Sequence, residues 1–343
     1  MAGYNDRMES AMSFATSLAR GAGALLLGLL AHTLTLAAAD VSQVPPPGIY
    51  RFRVGQLDVT ALSDGTHPFP VDTVMVGASG PEIGDALEHD FLDRPPAGSI
   101  NAFLINTGKR LILVDAGAGA LYGDCCGQVV QQIRAAGYLP EQVDLVLLTH
   151  LHKDHVGGIT SGGRAVFPNA VVRASKTDVD YWTSAAAKAK APEFLSTFFD
   201  AAAASLAPYK AAGRLQPISG PGPIEDGVEV LASPGHTPGH LSFAFTSRGQ
   251  TLVVVGDLVH VAALQLPHPE VTVTYDSDGA EARKTRVGLL QSAAERCYLV
   301  AAAHISFPGV GHVRKAGNAF EWVPLNYEAA PTRVKGATLE KSP

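Results

Sequence analysis

The feature that most constrains this chain is the segment Thr149 to His155, THLHKDH, which gathers three imidazoles and one carboxylate directly after the apolar run from Val143 to Leu148. Imidazole and carboxylate are ligands of first-row divalent ions, and no cysteine stands nearby to indicate a closed structural zinc cage. Candidates spaced at i, i+2 and i+5 cannot share one helix face, but they can converge where a strand ends and the chain turns into a helix. The segment therefore predicts a metal site at a strand end.

Composition narrows the class of protein. The chain has 343 residues, of which 46% are hydrophobic and 17% charged, enough for one large globular domain or two small ones. A net charge of −6 gives no basic surface for nucleic acid, so a neutral or weakly polar small substrate is expected. The cysteines, Cys125, Cys126 and Cys297, are too few for a disulfide framework, and the adjacent pair is not expected to bond. We interpret them as small buried or loop residues.

The N-terminus resembles an export signal. Arg7 and Arg20 precede an apolar segment over 21–36, and three alanines stand before Asp40. The sequence predicts a signal peptide over 1–39 and a mature periplasmic or secreted protein over 40–343. The apolar run is shorter than the ~20 residues that a stable membrane span needs, which favours a cleaved signal over the alternative, an uncleaved anchor. No stable span is expected after signal removal.

From residue 50 onward, strand patterns alternate with helical ones. Helices are expected over 128–136 and 280–295, and a helical region over 177–210. Two short strands or a hairpin are expected over 50–62, and further strands over 102–106, 111–115, 143–149, 171–174, 228–231, 241–245, 251–255 and 298–301. This alternation predicts a layered α/β architecture with mixed sheets inside and helices outside. No linker divides the pattern, so one domain is expected.

The remaining ligand types fall at the ends of predicted strands. His236 follows one strand in the segment SPGHTPGH, Asp257 closes the next, and His304 closes the last. Together with Asp115 and the THLHKDH segment, five strand-end loops thus offer histidine or aspartate. Loops of this kind assemble convergent ligands on a rigid sheet.

The whole series resembles a known family. The motif HxHxDH followed by His236, Asp257 and His304 is similar to the ligand series of the metallo-β-lactamase superfamily of binuclear hydrolases. Segments 61–65 (ALSDG), 113–117 (LVDAG), 136–144 (AGYLPEQVD), 235–240 (GHTPGH) and 307–314 (FPGVGHVR) resemble its methyl parathion hydrolase group. The resemblance implies a four-layer αββα sandwich and a homodimer.

The resemblance also implies a metal centre with two Zn²⁺ ions per chain, other divalent metals being the alternative. It places His150, His152 and His304 on one ion, Asp154, His155 and His236 on the other, and Asp257 between them. Seven ligands leave an open position on each ion, which is typical of a catalytic site. A hydroxide shared by two ions ~3.5–4 Å apart is the expected nucleophile.

Asp115 is expected to orient a ligand histidine through a hydrogen bond, an ordinary turn aspartate being the alternative. Asp115, Asp154 and Asp257 are the carboxylates that are expected to take part in catalysis.

Aromatic residues indicate where a substrate would lie. Tyr122, Trp182, Phe198 and Phe199 are expected to line a leaving-group pocket, with a role in the core as the alternative. Three further pocket positions depart from the parathion hydrolases. His260 and Tyr275 stand where those enzymes favour leucine, and Val74 stands where arginine is expected.

The sequence predicts a metal-dependent hydrolase of small molecules, cleaving organophosphate triesters of the methyl parathion type and related aryl esters or lactones. A primary lactonase or aryl esterase is the first alternative. A non-catalytic metal-binding envelope protein is the alternative from another class.

Overall fold

The computed structural model describes residues 47–327. The predicted signal peptide and its cleavage site lie outside the described residues. No helix within 47–327 is long and apolar enough to cross a membrane.

The strands fall into two large sheets and two short pairs. In chain order they are β1 Ile49–Val54, β2 Leu57–Pro68, β3 Met75–Val76, β4 Ala97–Asn106, β5 Leu111–Val114, β6 Leu145–Leu147, β7 Thr160–Ser161, β8 Arg164–Ala165, β9 Val171–Arg173, β10 Gly222–Glu225, β11 Val228–Ala232, β12 Leu241–Ser247, β13 Gln250–Val254, β14 Thr272–Val273, β15 Leu299–Ala301, β16 Val310–Ala316 and β17 Ala319–Pro324. The first sheet has the order β1-β2-β4-β5-β6-β9 and the second β10-β11-β12-β13-β15-β16-β17. Both are mixed, since β5, β6 and β9 run parallel to one another, as do β13 and β15.

Some of the helices within 47–327 cover the outer faces of the sheets, and others pack in a separate cluster. The helices run over Val71–Val74, Gly80–His89, Val129–Ala135, Lys153–Val156, Lys176–Trp182, Ala185–Lys188, Ser196–Ala211, Ala262–Gln265 and Gly279–Arg296.

Alternation along the strands produces separate cores on the two faces of each sheet. Phe103 of β4 points into a core between the sheets, where it shares a cluster with Phe243 of β12. The next residue, Leu104, points outward into a cluster with Ile133 and Leu206 from the covering helices. A third cluster joins the outer face of the second sheet to the helix Gly279–Arg296. The layers are therefore helix, sheet, sheet and helix, which confirms the predicted αββα fold.

Local structure departs from the sequence expectations in several places, and the helix Gly80–His89 and strand β10 are among the elements that were not predicted. The helical region expected over 177–210 is broken, because Ser184 caps a new short helix and Pro192 precedes a separate turn before Ser196–Ala211. The hairpin of β16 and β17 was not predicted. It adds to the edge of the second sheet.

Candidate metal centre

The THLHKDH segment adopts the predicted strand, loop and helix. β6 ends at Leu147, the loop carries His150 and His152, and the helix Lys153–Val156 carries Asp154 and His155 in a single turn. All four side chains are buried.

The other candidate ligands arrive from the second sheet. Asp257 follows β13 and His304 follows β15, and because these strands are parallel neighbours, their carboxyl ends meet at one edge. His236 lies in the loop between β11 and β12. The structure thus brings all seven sequence-predicted ligands to the same edge of the sandwich.

The seven side chains form two groups around Asp257. One group is His150, His152, His236 and Asp257, and the other is Asp154, His155 and His304, with the ligand atoms of each group within 4.8 Å of one another. Oδ2 of Asp257 lies 3.2 Å from Nε2 of His236. Its Oδ1 lies 2.9 Å from Nε2 of His155 and 3.1 Å from Nε2 of His304. Asp257 therefore faces both groups with different oxygens.

This grouping corrects the partition that the resemblance implied, because His236 and His304 exchange places. Nε2 of His236 lies 3.0 Å from Nδ1 of His152. Nε2 of His304 lies 3.5 Å from Oδ2 of Asp154. The loop before β12 carries His236 to the side of His150 and His152, whereas the end of β15 places His304 on the other side of Asp257.

Asp115 holds His155 in one orientation. Its Oδ2 accepts a hydrogen bond from Nδ1 of His155 at 2.9 Å, and its two oxygens also accept from the amide and hydroxyl of Thr149. Asp115 adopts a left-handed backbone conformation, with φ of 57°. This contact leaves Nε2 of His155 facing the centre, which is how outer partners orient metal-ligating histidines.

Two further contacts orient histidines in the same way, and the sequence did not predict either. Nδ1 of His236 donates to Oδ1 of Asp276 at 2.7 Å, and Nδ1 of His304 donates to the backbone oxygen of Ser99 at 2.7 Å. Both leave Nε2 directed inward. Asp276 belongs to no recognisable motif, so its sequence gave no signal.

The centre has the properties of a cation site. Nε2 of His150 and Nε2 of His152 are buried without a hydrogen-bond partner. Leaving such atoms unsatisfied costs ~1–3 kcal/mol each, and more when they are charged. A divalent ion among imidazole and carboxylate donors would satisfy them, and this donor set suits zinc.

Charge at the centre leads to the same conclusion. Burial and the neighbouring His155 hold the pKa of His150 well below its usual range, so it is neutral as a ligand must be. Burial opposes the charge on His236, but Asp257 and Asp276 raise its pKa to about 9. Burial likewise opposes ionisation of Asp257, but His155, His304 and His150 hold its pKa well below its usual range. The negative charges of Asp257 and Asp276 thus stabilise positive charge at the centre, where metal ions would bind.

A pocket of about 360 Å³ opens above these ligands. Five of the residues predicted to form a substrate pocket line it: Val74, Tyr122, Phe198, His260 and Tyr275. His67, Phe69 and Lys153 also line it and were not predicted. Lys153 lies inside the ligand motif itself, and its Nζ sits 4.6 Å from the ring centroid of Phe198.

Trp182 and Phe199 do not line this pocket, contrary to the sequence expectation. Their side chains are 1% and 2% exposed and pack against each other in the helix-covered core. Phe198 and Phe199 are neighbours on a helix, so they point in directions about 100° apart and only one can face the pocket. Trp182 instead supports the ring of His152 from behind, edge to face at 4.9 Å.

His260 lies beside the shared carboxylate. Its Nε2 is 3.1 Å from Oδ2 of Asp257, and its ring stacks on that of His304 at 5.2 Å. Burial lowers the pKa of His260 to about 4, although Asp257 opposes this, so the imidazole is neutral. It therefore brings a polar but uncharged group to the pocket.

Comparison with known proteins agrees with the fold and the site. The family model described as the Metallo-beta-lactamase superfamily matches residues 95–304, a range that contains all seven candidate ligands. The chain belongs to the metallo-beta-lactamase superfamily.

Two solved structures are similar over most of this chain. The hydrolase AbOPH of the beta-lactamase superfamily is 35% identical, with a TM-score of 0.80 over 83% of this chain and 100% of that one. AidC, a dizinc quorum-quenching lactonase, is 25% identical, with a TM-score of 0.77 over 82% of this chain and 99% of that one. Their names support the enzyme class that the sequence predicts, a metal-dependent hydrolase.

One curated protein matches over a short segment. The Beta-lactamase-like protein 2 homolog of Drosophila melanogaster is 41% identical over 63 residues, which cover 18% of this chain and 20% of that protein. The chain thus spans about a fifth of the length of this relative.

Proposed function

We propose that this protein is a binuclear zinc hydrolase of lactones and aryl esters that also accepts organophosphate triesters. The observation that carries the proposal is Asp257, whose two oxygens face two separate groups of buried ligands at the base of a pocket. A site shared in this way suits hydrolysis better than storage, because it opens to a space that a small substrate can enter.

The carboxylates of the centre have different roles. Zinc, when bound, supplies a Lewis acid and lowers the pKa of water at the site to ~7. Asp257 fixes the spacing of the two ligand groups and carries the negative charge between them. Asp115 and Asp276 hold His155 and His236 in the orientation that ligation requires. No side-chain base is assigned.

The pocket walls are suited to a ring-containing substrate. Aromatic surface lies next to the ligands, on Tyr122, Phe198 and Tyr275. The volume of the pocket falls within the range of small-molecule sites, ~300–1,000 Å³. Stacked or edge-on rings can hold an aryl leaving group or the ring of a lactone. The ammonium group of Lys153, held over Phe198, offers a positive charge to an oxygen that becomes negative as it leaves.

His260 favours lactones and carboxylic esters over phosphotriesters. A neutral imidazole can hydrogen bond to an ester or lactone carbonyl, but gives less apolar contact to a nitrophenyl ring than leucine would. The similarity to a dizinc lactonase supports the same preference for lactones over phosphotriesters. Within the superfamily, we place the chain near the methyl parathion hydrolase group on the motifs it shares, with this polar substitution as its main departure.

Substrate preference can be measured on the zinc-loaded enzyme and its His260→Leu variant. We expect the wild type to hydrolyse dihydrocoumarin or phenyl acetate faster than paraoxon or methyl parathion, with homoserine lactones completing the panel. The leucine should raise kcat/KM for methyl parathion relative to dihydrocoumarin by about tenfold, if ~1.4 kcal/mol of apolar contact is recovered.

His89→Leu is the matched control, because its side chain is exposed and lies outside this pocket. A substrate ratio that stays constant or moves toward the lactone would show that His260 does not select the leaving group. Hydrolysis of no panel member by a protein that retains zinc would instead favour a non-catalytic metal-binding protein.

Three further predictions belong to the same proposal. We propose that residues 1–39 are removed as a signal peptide, that the mature protein over 40–343 acts in the periplasm or outside the cell, and that it forms a homodimer.

A further inference from the structure

Two adjacent thiols lie next to the pocket wall and outside the ligand groups. The Sγ atoms of Cys125 and Cys126 are 2.8 Å apart. A disulfide bond is ~2.05 Å long, so the two sulfurs are within about one ångström of bonding distance. Cys125 is exposed and Cys126 is buried, and both are free. The pair therefore has one sulfur that a reagent can reach and a second sulfur directly behind it.

The segment around this pair is fixed at both ends. The buried carboxylate of Asp64 accepts the amides of Ala118 at 2.8 Å, Gly127 at 3.0 Å and Val129 at 3.1 Å. At Gly65 a Cβ would lie 2.1 Å from the backbone oxygen of Cys125, so the strand presses against the pair. A change at the thiols cannot relax through the flanks of the segment.

Tyr122 is the part of the segment that such a change would reach. Sγ of Cys125 donates to the backbone oxygen of Tyr122 at 3.3 Å, and Cys126 packs in a small cluster with the Tyr122 ring, Ile100 and Ala118. The Tyr122 ring also lines the pocket above the ligands. The thiols thus contact both the backbone and the side chain of Tyr122, a residue that lines the pocket.

We propose that Cys125 and Cys126 form a redox site that reacts with small-molecule disulfides, closes to a vicinal disulfide and displaces Tyr122 in the pocket. The Cys125 thiolate attacks one sulfur of a disulfide RSSR, forms a mixed disulfide and releases RS⁻. The Cys126 sulfur then attacks the Cys125 sulfur, and the second RS⁻ leaves. The protons of the two cysteines pass to the released thiolates. Two protein thiols are oxidised to one disulfide and RSSR is reduced to two RSH.

The roles of the two thiols follow from their surroundings. Burial and the neighbouring Cys125 raise the pKa of the Cys126 thiol, so Cys125 is the attacking group. Adjacent Cα atoms are ~3.8 Å apart, below the usual disulfide range of ~4.4–6.8 Å, which is why the sequence predicts no bond here. The same strain makes the closed form easy to reduce, as in labile and regulatory disulfides. The site is therefore reversible.

The test uses the full-length enzyme carrying Cys297→Ser, which leaves the pair as the only cysteines. Treatment with oxidised glutathione should give a peptide containing Cys125 and Cys126 that is lighter by two hydrogens and carries no glutathione. Adding Cys126→Ser should trap glutathione on Cys125, and adding Cys125→Ser should prevent reaction. Closure should raise KM for an aryl ester by about threefold to tenfold, with a smaller change in kcat, and dithiothreitol should reverse it.

Cys297 provides the internal comparison in the wild-type protein, because it is an exposed thiol in a sequence position without an adjacent cysteine. It should carry a stable glutathione adduct under the same conditions. A persistent adduct on Cys125 with Cys126 present, or no reaction at the pair, would overturn the redox site. A closed disulfide with unchanged KM would overturn its link to Tyr122. The mass measurement does not depend on the proposed hydrolase activity, so the two proposals can fail separately.

Discussion

Asp257→Ala is expected to lose at least one zinc equivalent and nearly all turnover. Asp257 is the residue that faces both ligand groups, through Oδ1 to His155 and His304 and through Oδ2 to His236. Without it, neither group keeps its spacing or its central negative charge. The loss in kcat should be on the order of a thousandfold, if ~4 kcal/mol of transition-state stabilisation is removed. Elemental analysis and kcat on the same preparation measure both effects.

Asp226→Ala is the control for this substitution. Asp226 is an exposed aspartate whose side chain pairs with Lys109 at the surface, so its removal should leave zinc content and kcat unchanged. If Asp257→Ala retained two zinc equivalents with near-normal kcat, Asp257 could not be the shared ligand.

Asp276→Asn should weaken zinc binding although Asp276 belongs to neither ligand group. Its Oδ1 accepts the hydrogen bond from Nδ1 of His236, and its Oδ2 accepts from the amide of Val273. A neutral amide is a poorer acceptor for a ligand histidine and presents an NH₂ group to one of these donors. Loss of such outer partners typically costs ~10–100-fold in metal affinity or activity. Competition with a chromophoric chelator gives the affinity directly.

Asp180→Asn is the matched variant, because Asp180 is an exposed carboxylate that pairs with Lys176. It should bind zinc as the wild type does. Equal zinc affinity in the Asp276 and Asp180 variants would mean that the Asp276 contact does not orient a ligand.

The residues that gather at the candidate metal centre could be predicted from the sequence because their signal is local. The HxHxDH motif follows an apolar strand, and His236, Asp257 and His304 each stand next to a predicted strand end. The assignment of His236 and His304 to the two groups was wrong for the opposite reason. It depends on how loops from different strands cross in space, and nothing in the spacing of one segment records that crossing.

Residues behind the ligands and around the pocket were harder to predict. Trp182, Phe198 and Phe199 are all large aromatic residues in one predicted helical region, so the sequence does not distinguish them. Helix periodicity and packing direct Trp182 and Phe199 into the core. Asp276 is an isolated aspartate in the sequence, and its role depends on a partner 40 residues away. Contacts of this kind exist only after the fold brings distant segments together.

The central claim, a hydrolase that depends on two metal ions, is tested most directly by titrating zinc into chelator-treated enzyme. Hydrolysis of dihydrocoumarin and zinc content should be followed on the same samples. We expect the metal-free protein to have almost no activity and to recover it in step with zinc binding, with a plateau at two equivalents per chain. Full activity in the metal-free protein, or a plateau at a single equivalent, would contradict the account.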